Sequence, residues 1–211
     1  RFPVKQVTPE RLGAEIEYAA DRVLYLFNVH FAASPYQPYQ LLNIPYGDYP
    51  FIRTETQAIE WANRGRGDQV GSVLRELTSA VRQQHAVLLT GDFNEPSHQD
   101  WTDRAQQAGL CPISVDYPAT RRVTEVGMID TWRAVHSDEV QHPGITWTPL
   151  TSADDPQDHH DRIDFVFASR NIRVLNCEVV GESDQNADIV VSPWPSDHRA
   201  VVATVQLRAS P

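Results

Sequence analysis

Five apolar segments, far apart in the sequence, each adjoin a polar residue that can bind a metal, move a proton or donate a hydrogen bond. They are LYLFNVHF, VLLTGDFN, GITWTP, DRIDFVFA and PWPSDHRAVV. One such segment carries little weight, because Gly, Asp and Asn favour the turn that ends a strand and the Asp of RID commonly pairs with its neighbour Arg162. Five are hard to explain by packing, since a core does not need Asp, Asn and His at successive strand ends. The pattern predicts a layered α/β fold with a site along one rim of its sheets.

The polar residues of these segments form one candidate site. Because strand ends are where a rigid scaffold presents chemistry, we expect their side chains to lie close together. The candidate residues are His30, Asp92, Asn94, Asp164, Asp197 and His198.

The N-terminal third predicts a hairpin followed by an ordered loop. Alternating apolar residues indicate a strand over residues 15–18, a turn near Ala20 and Asp21, and a second strand over residues 23–31. Residues 32–53 are too rich in proline for a helix and too aromatic for a disordered linker. We interpret them as a surface loop whose tyrosines either pack it down or face a ligand, with packing favoured. These tyrosines are Tyr36, Tyr39, Tyr46 and Tyr49.

Helices and strands are predicted for the rest of the chain. A helix over residues 54–63 is followed by an interruption at RGRG and by a second helix from Asp68, whose apolar stripe faces a sheet. Further helices are predicted over residues 97–108, with Ser97 as N-cap, and over residues 128–135. Strands are predicted at AVLLT, GITWT, RIDFVFAS, IRVLNCEVVG and RAVVATVQL.

Length and charge limit the classes of protein that fit. The 211 residues, 41% of them hydrophobic, predict a single domain over residues 1–211. The net charge of −10 disfavours non-specific attraction to a polyphosphate backbone, although a local basic patch or bridging cations would overcome it. No apolar run approaches the about 20 residues that span a bilayer, so no transmembrane segment is predicted. The start lacks both Met and the apolar core of a signal peptide, so localisation stays open.

The motifs NVHF, GDFN, RIDFVF and SDHRAV resemble, in order and wording, those of the endonuclease/exonuclease/phosphatase superfamily. These metal-dependent phosphoesterases include deoxyribonucleases, abasic-site endonucleases and sphingomyelinases. The likeness runs over about residues 23–207, and four ordered motifs make it specific. It implies a four-layer α/β sandwich, in which two mixed β-sheets pack face to face and are flanked by helices.

The resemblance also implies a mechanism, namely hydrolysis of a phosphodiester or phosphomonoester by in-line attack of an activated water. His198 resembles the general base, and Asp164 resembles the carboxylate that orients its imidazole. Asp92 would orient the water, and Asn94 would donate a hydrogen bond to a non-bridging oxygen. His30 would stabilise the phosphoryl group or protonate the leaving group.

One departure from the family pattern concerns the metal. Asp197 resembles a metal-contacting carboxylate, and hard oxygen ligands favour Mg²⁺ or Mn²⁺. The resemblance also implies an early strand that ends in a metal-binding Glu, well before the first histidine motif. Glu15 and Glu17 do not match it, because they lie in the strand directly before that of His30. We therefore expect residues 1–211 to lack the N-terminal part of the family domain. The rival hypothesis is a binding or scaffolding module that retains the fold and has lost turnover.

Four weaker features remain. The acidic balance favours a small-molecule or lipid-headgroup phosphate ester over nucleic acid as the substrate. The run ADDPQDHHDRID is interpreted as a solvated loop rather than as the metal site, and Trp147 as either a core residue or a substrate contact. The cysteines, Cys111 and Cys177, match no metal spacing, and whether they pair is open.

Overall fold

The computed structural model describes residues 2–20 and 22–207, so Asp21 of the predicted turn lies outside the described residues. In chain order, the strands of this part are β1 (Val4–Val7), β2 (Gly13–Ala19), β3 (Arg22–His30), β4 (Ala86–Asp92), β5 (Met128–Asp130), β6 (Asp164–Ser169), β7 (Ile172–Gly181), β8 (Ile189–Val190) and β9 (Ala200–Leu207). Its helices are α1 (Gln37–Leu42), α2 (Glu55–Arg82), α3 (Asp103–Gln107), α4 (Pro118–Glu125) and α5 (Thr131–Val135).

Six strands form a mixed sheet in the order β1-β2-β3-β4-β6-β5. The central strands β3 and β4 are parallel, whereas β2 pairs with β3 and β6 pairs with β4 in antiparallel fashion. The predicted hairpin is confirmed as β2 and β3. Odd-numbered residues of the central strands, such as Phe27, Leu89 and Phe167, pack against α2 and α4. Even-numbered residues project from the opposite face, because side chains alternate along a strand.

The second sheet packs against that opposite face. It is mixed and has three strands in the order β8-β7-β9. Val174 and Val205 of this sheet pack in one cluster with Leu88 and Ala168 of the larger sheet. The fold class is therefore confirmed as α/β, with two mixed sheets packed face to face and flanking helices. Within the described residues, α2 and α4 cover the larger sheet, while side chains on the outside of the smaller sheet, such as Val202, are exposed.

Helix α2 runs unbroken through RGRG, where an interruption was predicted. It begins with a capping box between Thr54 and Gln57. A glycine in a helix interior costs about 1 kcal/mol relative to alanine. At Gly65, however, a Cβ atom would lie only 3.0 Å from Cδ of Pro35, so glycine permits the preceding loop to pack closely on the helix. The buried Arg66 then binds two carbonyl oxygens of that loop.

Other helix predictions are wrong in part. Residues 32–53 contain α1, because Pro38 falls in the first turn, where its missing N–H removes no helical bond. The helix predicted over residues 97–108 is shortened to α3: Ser97 Oγ accepts the N–H of Gln99 in a turn that does not continue as a helix, and Thr102 caps α3 through the N–H of Ala105. In residues 128–135, the first three pair with β6 as β5 before Asp130 caps α5. Helix α4 was not predicted.

Most strand predictions are confirmed. AVLLT, RIDFVFAS, IRVLNCEVVG and RAVVATVQL correspond to β4, β6, β7 and β9. GITWT does not form a strand, and Trp147 instead makes isolated antiparallel bridges with Asp161 and His198. The bridge to His198 ties the GITWT loop to the SDHRAV segment. Among the described residues, no helix has the length and apolar character needed to cross a membrane.

Candidate active site

Three of the candidate residues lie side by side on neighbouring strands. In the register of the larger sheet, His30 on β3 is the Cα partner of Asp92 on β4, which is in turn the partner of Asp164 on β6. All three positions are even-numbered, so their side chains project from the face that packs against the smaller sheet. We call this set the strand-end row.

His198 reaches the strand-end row from the segment that leads into β9. Its Nδ1 lies 2.8 Å from Oδ2 of Asp164, and its Nε2 lies 3.9 Å from Oδ2 of Asp92. Burial lowers the pKa of His198, but the hydrogen bond and the negative charge of Asp164, helped by Asp92 and Asp197, outweigh burial and raise the pKa overall. Asp164 thus fixes the imidazole through Nδ1, which leaves Nε2 available to a ligand.

Asp92 lies between two histidines and a second carboxylate. Burial raises the pKa of the Asp92 carboxyl, and the negative charge of Asp164 raises it further. The hydrogen bond from the backbone of Asn94 and the two nearby histidines lower this pKa by less. Oδ2 of Asp92 lies 3.3 Å from Nε2 of His30, whose side chain is 74% exposed. His30 is therefore free to contact a substrate at the mouth of the site.

Asn94 supports Asp92 rather than presenting a free donor. Its backbone N–H donates to Oδ1 of Asp92 at 2.7 Å, and its Nδ2 donates to Oδ2 of Asp92 and to the carbonyl oxygen of Phe31, both at 3.0 Å. The amide nitrogen has only two hydrogens, and both are used. In this geometry the expected donation to a phosphate oxygen would require one of these bonds to break.

Gly91 explains why the row can form. Its φ is +140°, which side chains rarely adopt, and a Cβ atom there would lie 1.9 Å from the carbonyl oxygen of Val29. Only glycine allows β4 to approach β3 this closely. The approach places Asp92 opposite His30.

The segment that carries Asp197 and His198 is held on both sides. Thr148 Oγ1 donates to the carbonyl oxygen of Asp197 at 2.7 Å, while the Asp197 side chain remains exposed. On the other side, the buried Arg199 donates to both carboxylate oxygens of Glu182, at 2.8 and 2.6 Å. This bidentate pair fixes the backbone next to His198.

We expect Glu182→Gln to lower the free energy of unfolding at pH 7 by about 1–3 kcal/mol, because it weakens the bidentate bond to Arg199. Hydrogen bonding by Arg199 lowers the pKa of Glu182 from 4.5 to about 2. Since the folded-state pKa is lowered, the stabilisation is complete above the unfolded pKa and is lost as the pH falls toward 2. Urea unfolding of both proteins from neutral to acidic pH should show the difference shrinking below about pH 4.5. A difference independent of pH would contradict this account.

A cleft of about 290 Å³ opens over the strand-end row. Five candidate residues line it: His30, Asp92, Asn94, Asp197 and His198. The sixth, Asp164, contacts the cleft through His198. The structure therefore brings together the residues that the sequence placed at separate strand ends.

The aromatic lining of the cleft is the part that sequence analysis left open between packing and ligand contact. Packing was favoured for the four tyrosines, and it holds for the buried Tyr36. Tyr36, Tyr39 and Tyr46 all line the cleft, together with Trp147. Tyr49 is instead placed against Trp61, with ring centroids 6.1 Å apart. The run of tyrosines in a proline-rich loop was the available signal, but nothing in it distinguished the two roles.

The acidic run ADDPQDHHDRID is solvated only in part. Asp154 is exposed, whereas Asp161 is buried and accepts hydrogen bonds from Tyr36 Oη at 2.6 Å and Trp101 Nε1 at 2.8 Å. Asp158 accepts a hydrogen bond from Tyr39 Oη at 2.5 Å. These carboxylates hold the aromatic lining, and the metal-compatible cluster among the described residues lies elsewhere, at Asp92, Asp164 and His198.

The sequence model of the Endonuclease/Exonuclease/phosphatase family matches residues 17–198, which is most of the chain. The chain belongs to this family. An uncharacterized protein of Caenorhabditis elegans is 25% identical over 209 residues, which cover 93% of this chain and 64% of that protein.

Solved structures show the same fold at low identity. An endonuclease/exonuclease/phosphatase from Beutenbergia cavernae matches with a TM-score of 0.51 and 18% identity, over 92% of this chain and 38% of that one. A 3′ phosphatase from Neisseria, bound to product DNA hairpin, matches with a TM-score of 0.50 and 17% identity, over 98% of this chain and 70% of that one. The chain thus has the fold of hydrolytic nucleases and phosphatases. A neighbour bound to DNA gives no support to the expected preference for small molecules over nucleic acid.

The charge of the site would suit a nearby divalent cation, the cofactor that this family generally uses. Ligand atoms of Asp92, Asp164 and His198 all lie within 4.8 Å of one another. Burial raises the pKa of Asp92, and the negative charge of Asp164 raises it further; a nearby cation would offset the repulsion between the two carboxylates.

Proposed function

We propose that this chain is a divalent-metal-dependent phosphoesterase that hydrolyses a phosphodiester or phosphomonoester by in-line attack of a water activated by His198. The observation that carries the proposal is the 2.8 Å contact between His198 Nδ1 and Asp164 Oδ2. It orients the imidazole as in a catalytic triad, with water in place of the serine.

His198 acts as the general base. Its Nε2 accepts a proton from the water as the water oxygen bonds to phosphorus, and Asp164 stabilises the resulting imidazolium. The negative charges that raise the pKa of His198 also stabilise this protonated form. Trp147 packs against the imidazole with ring centroids 4.9 Å apart, which restricts its rotation.

Asp92 and His30 serve the water and the leaving group. Asp92 orients the water through Oδ2, which points toward both histidines. Asn94 keeps that carboxylate in place through two of its own N–H groups. His30, exposed at the mouth of the cleft, stabilises the phosphoryl group or donates a proton to the departing oxygen.

Asp197 is the residue we assign to the metal. Its exposed carboxylate lines the cleft, and a hard oxygen ligand of this kind suits Mg²⁺ or Mn²⁺. When bound, such an ion supplies a positive charge that stabilises the phosphoryl oxygens.

A catalytically impaired binding or scaffolding module is the second candidate. One observation favours it: among the described residues, no glutamate lines the cleft. Glu15 instead accepts hydrogen bonds from Gln6 and Tyr25 within the sheet. With few carboxylates to hold an ion, a module of this kind would bind phosphate esters without turning them over.

Hydrolysis of bis(p-nitrophenyl) phosphate distinguishes the two candidates. We expect p-nitrophenol release with Mg²⁺ or Mn²⁺, loss of release on adding a chelator, and recovery when excess metal is restored. Asp197→Asn should raise the metal concentration needed for half-maximal activity. Absence of release at any metal concentration, with phosphate binding retained, would support the impaired module. Release that is insensitive to chelator would contradict metal dependence.

A further inference from the structure

We propose that Thr146, which does not line the cleft, is a positioning residue that sets the contact between Asp164 and His198. The inference rests on the proposed function, because it concerns the same pair of side chains. It also gives a role to the GITWT segment, which does not form a strand.

The contact between Asp164 and His198 joins two different sheets. Asp164 begins β6 of the larger sheet, whereas His198 lies just before β9 of the smaller sheet. The two sheets meet through apolar side chains such as Leu88 and Val205. Because apolar packing is not directional, it does not by itself hold an imidazole nitrogen 2.8 Å from a carboxylate oxygen. Directional bonds between the two segments are needed.

Thr146 supplies such bonds to both segments. It is fully buried, and its Oγ1 accepts the backbone N–H groups of Ile163 at 3.0 Å and Asp164 at 3.1 Å. Its carbonyl oxygen accepts the backbone N–H of Arg199 at 2.8 Å, next to His198 in the chain. One residue therefore links the backbone of Asp164 to that of the residue after His198.

The hydroxyl group of Thr146 holds a bend at the start of β6. Consecutive N–H groups of a regular strand point to opposite edges and cannot share one acceptor, so the backbone departs from strand geometry where the amides of Ile163 and Asp164 converge. Strand β5, which pairs with the other end of β6, ends at Asp130 opposite Phe167 and does not reach these amides. The oxygen of the threonine takes the place of a neighbouring strand.

Thr146 is itself held in place. Its N–H and that of Trp147 both donate to the carbonyl oxygen of Asp161, at 3.1 and 2.9 Å. The N–H of Asp161 donates back to the carbonyl oxygen of Trp147 at 3.0 Å. Because its backbone is fixed on this side, Thr146 acts as a rigid spacer between Asp164 and the segment of His198.

Loss of the hydroxyl group should move the carboxylate of Asp164. Two N–H groups, one of them on the buried Ile163, would lose their acceptor, which is costly in the interior. The backbone at Asp164 would shift to recover a partner, and its carboxylate would move relative to the imidazole of His198. A displacement of about 1 Å at a catalytic group costs up to about 10²-fold in rate. The loss should fall on kcat rather than on KM, because the general base acts in the transition state.

The experiment compares three variants of buried threonines. Thr146→Val keeps the shape of the side chain and removes the acceptor, whereas Thr146→Ser keeps the acceptor and removes a methyl group. Thr131→Val is the matched control, because Thr131 is equally buried and its hydroxyl group also bonds to the backbone of β6, at the carbonyl oxygen of Val166, 2.7 Å away. A general loosening of β6 would therefore appear in both valine variants.

The first measurement is hydrolysis of bis(p-nitrophenyl) phosphate at saturating Mg²⁺. We expect Thr146→Val to lower kcat by about 10- to 100-fold with KM nearly unchanged. Thr146→Ser should recover most of that loss, and Thr131→Val should keep the kcat of the unmodified protein. Equal kcat values in the two valine variants would overturn the proposal. A loss in Thr146→Ser as large as that in Thr146→Val would also overturn it, since the methyl group would then matter rather than the hydroxyl group.

A second variant covers the case in which Thr146→Val does not fold, as judged by circular dichroism. Thr146→Cys places a sulfur, a weak acceptor, where Thr146→Ser places an oxygen. We expect kcat to be severalfold lower for the cysteine variant than for the serine variant. Equal kcat values in these two variants would contradict a role for the hydrogen bonds of Thr146.

Nuclear magnetic resonance of protein with isotope-labelled histidine separates failure of the positioning from failure of the proposed function. Nitrogen chemical shifts should place the proton of the neutral His198 imidazole on Nδ1, which faces Asp164. Thr146→Val should move this proton partly to Nε2, while Thr131→Val should not. If no ester is hydrolysed but the proton moves, the positioning stands and the proposed function fails. If esters are hydrolysed but neither kcat nor the proton responds to Thr146→Val, the proposed function stands and the positioning is wrong.

Discussion

We expect His198→Ala to lower phosphodiester hydrolysis by about 10²- to 10⁴-fold, the usual cost of losing a general base, which is the role we propose for it. The expected loss is large because Asp164 holds the imidazole at 2.8 Å and leaves Nε2 for the water. The substitution lies at a half-buried rim rather than in the core, so the fold should persist. The measurement is release of p-nitrophenol from bis(p-nitrophenyl) phosphate at saturating Mg²⁺, alongside circular dichroism of the variant.

His85→Ala is the matched control, since it also removes an imidazole. His85 packs beside Tyr25, with ring centroids 5.2 Å apart, and does not line the cleft. Its activity should equal that of the unmodified protein. Near-normal turnover by a folded His198→Ala variant, in a preparation free of contaminating phosphoesterases, would show that another group activates the water.

Glu95→Ala lowers the free energy of unfolding by about 3–5 kcal/mol, because it leaves the charge of Arg66 buried without its partner. The two side chains are each 1% exposed, and Nε of Arg66 lies 3.0 Å from Oε2 of Glu95. The other oxygen of Glu95 accepts the backbone N–H of Ala119 at 2.7 Å, near the start of α4. Arg66 also donates to Gln37 and to two carbonyl oxygens. One ion pair thus joins α1, α2, α4 and the loop after β4.

Glu60→Ala provides the comparison, because it removes an ion pair on α2, the helix that carries Arg66. Glu60 pairs with Arg64 across one turn of α2, but both side chains are more than half exposed. Such a pair contributes at most about 0.5 kcal/mol. Urea unfolding of both variants tests the contrast, and a double variant, Glu95→Ala with Arg66→Met, should recover part of the loss. A cost below about 1 kcal/mol for Glu95→Ala would mean that water or another group compensates for the lost carboxylate.

Much of the site could be predicted from sequence, because strand-end residues reveal their position through the apolar run beside them. His30, Asp92 and Asp164 follow this rule, and the register of β3, β4 and β6 places them in one row. The layered α/β fold followed from the same pattern of strands and strand-end residues, whereas the two face-to-face sheets were implied by the family resemblance.

The rest depends on contacts between distant segments, which local patterns do not encode. RGRG carries the composition of a helix break, but the helix continues because Arg66 binds Glu95 and the loop that packs on Gly65. The role of Asn94 was likewise invisible, because it depends on Phe31 supplying a carbonyl oxygen from a neighbouring segment. The aromatic lining of the cleft could not be predicted because it depends on the hydrogen bond from Tyr39 to Asp158, which lies in a distant acidic loop.

The strand-end row determines where in the chain residues can be inserted or deleted. The spacing of His30, Asp92 and Asp164 is set by the separation of hydrogen-bonded strands, about 4.8 Å, and owes nothing to loop length. One residue inserted into β4 ahead of Asp92 would turn that carboxylate to the opposite face of the sheet and bury it among apolar side chains. The same insertion in the exposed stretch around Asp154 would leave the row untouched. Exposed loops of this kind can therefore change in length while the strand-end row stays in register.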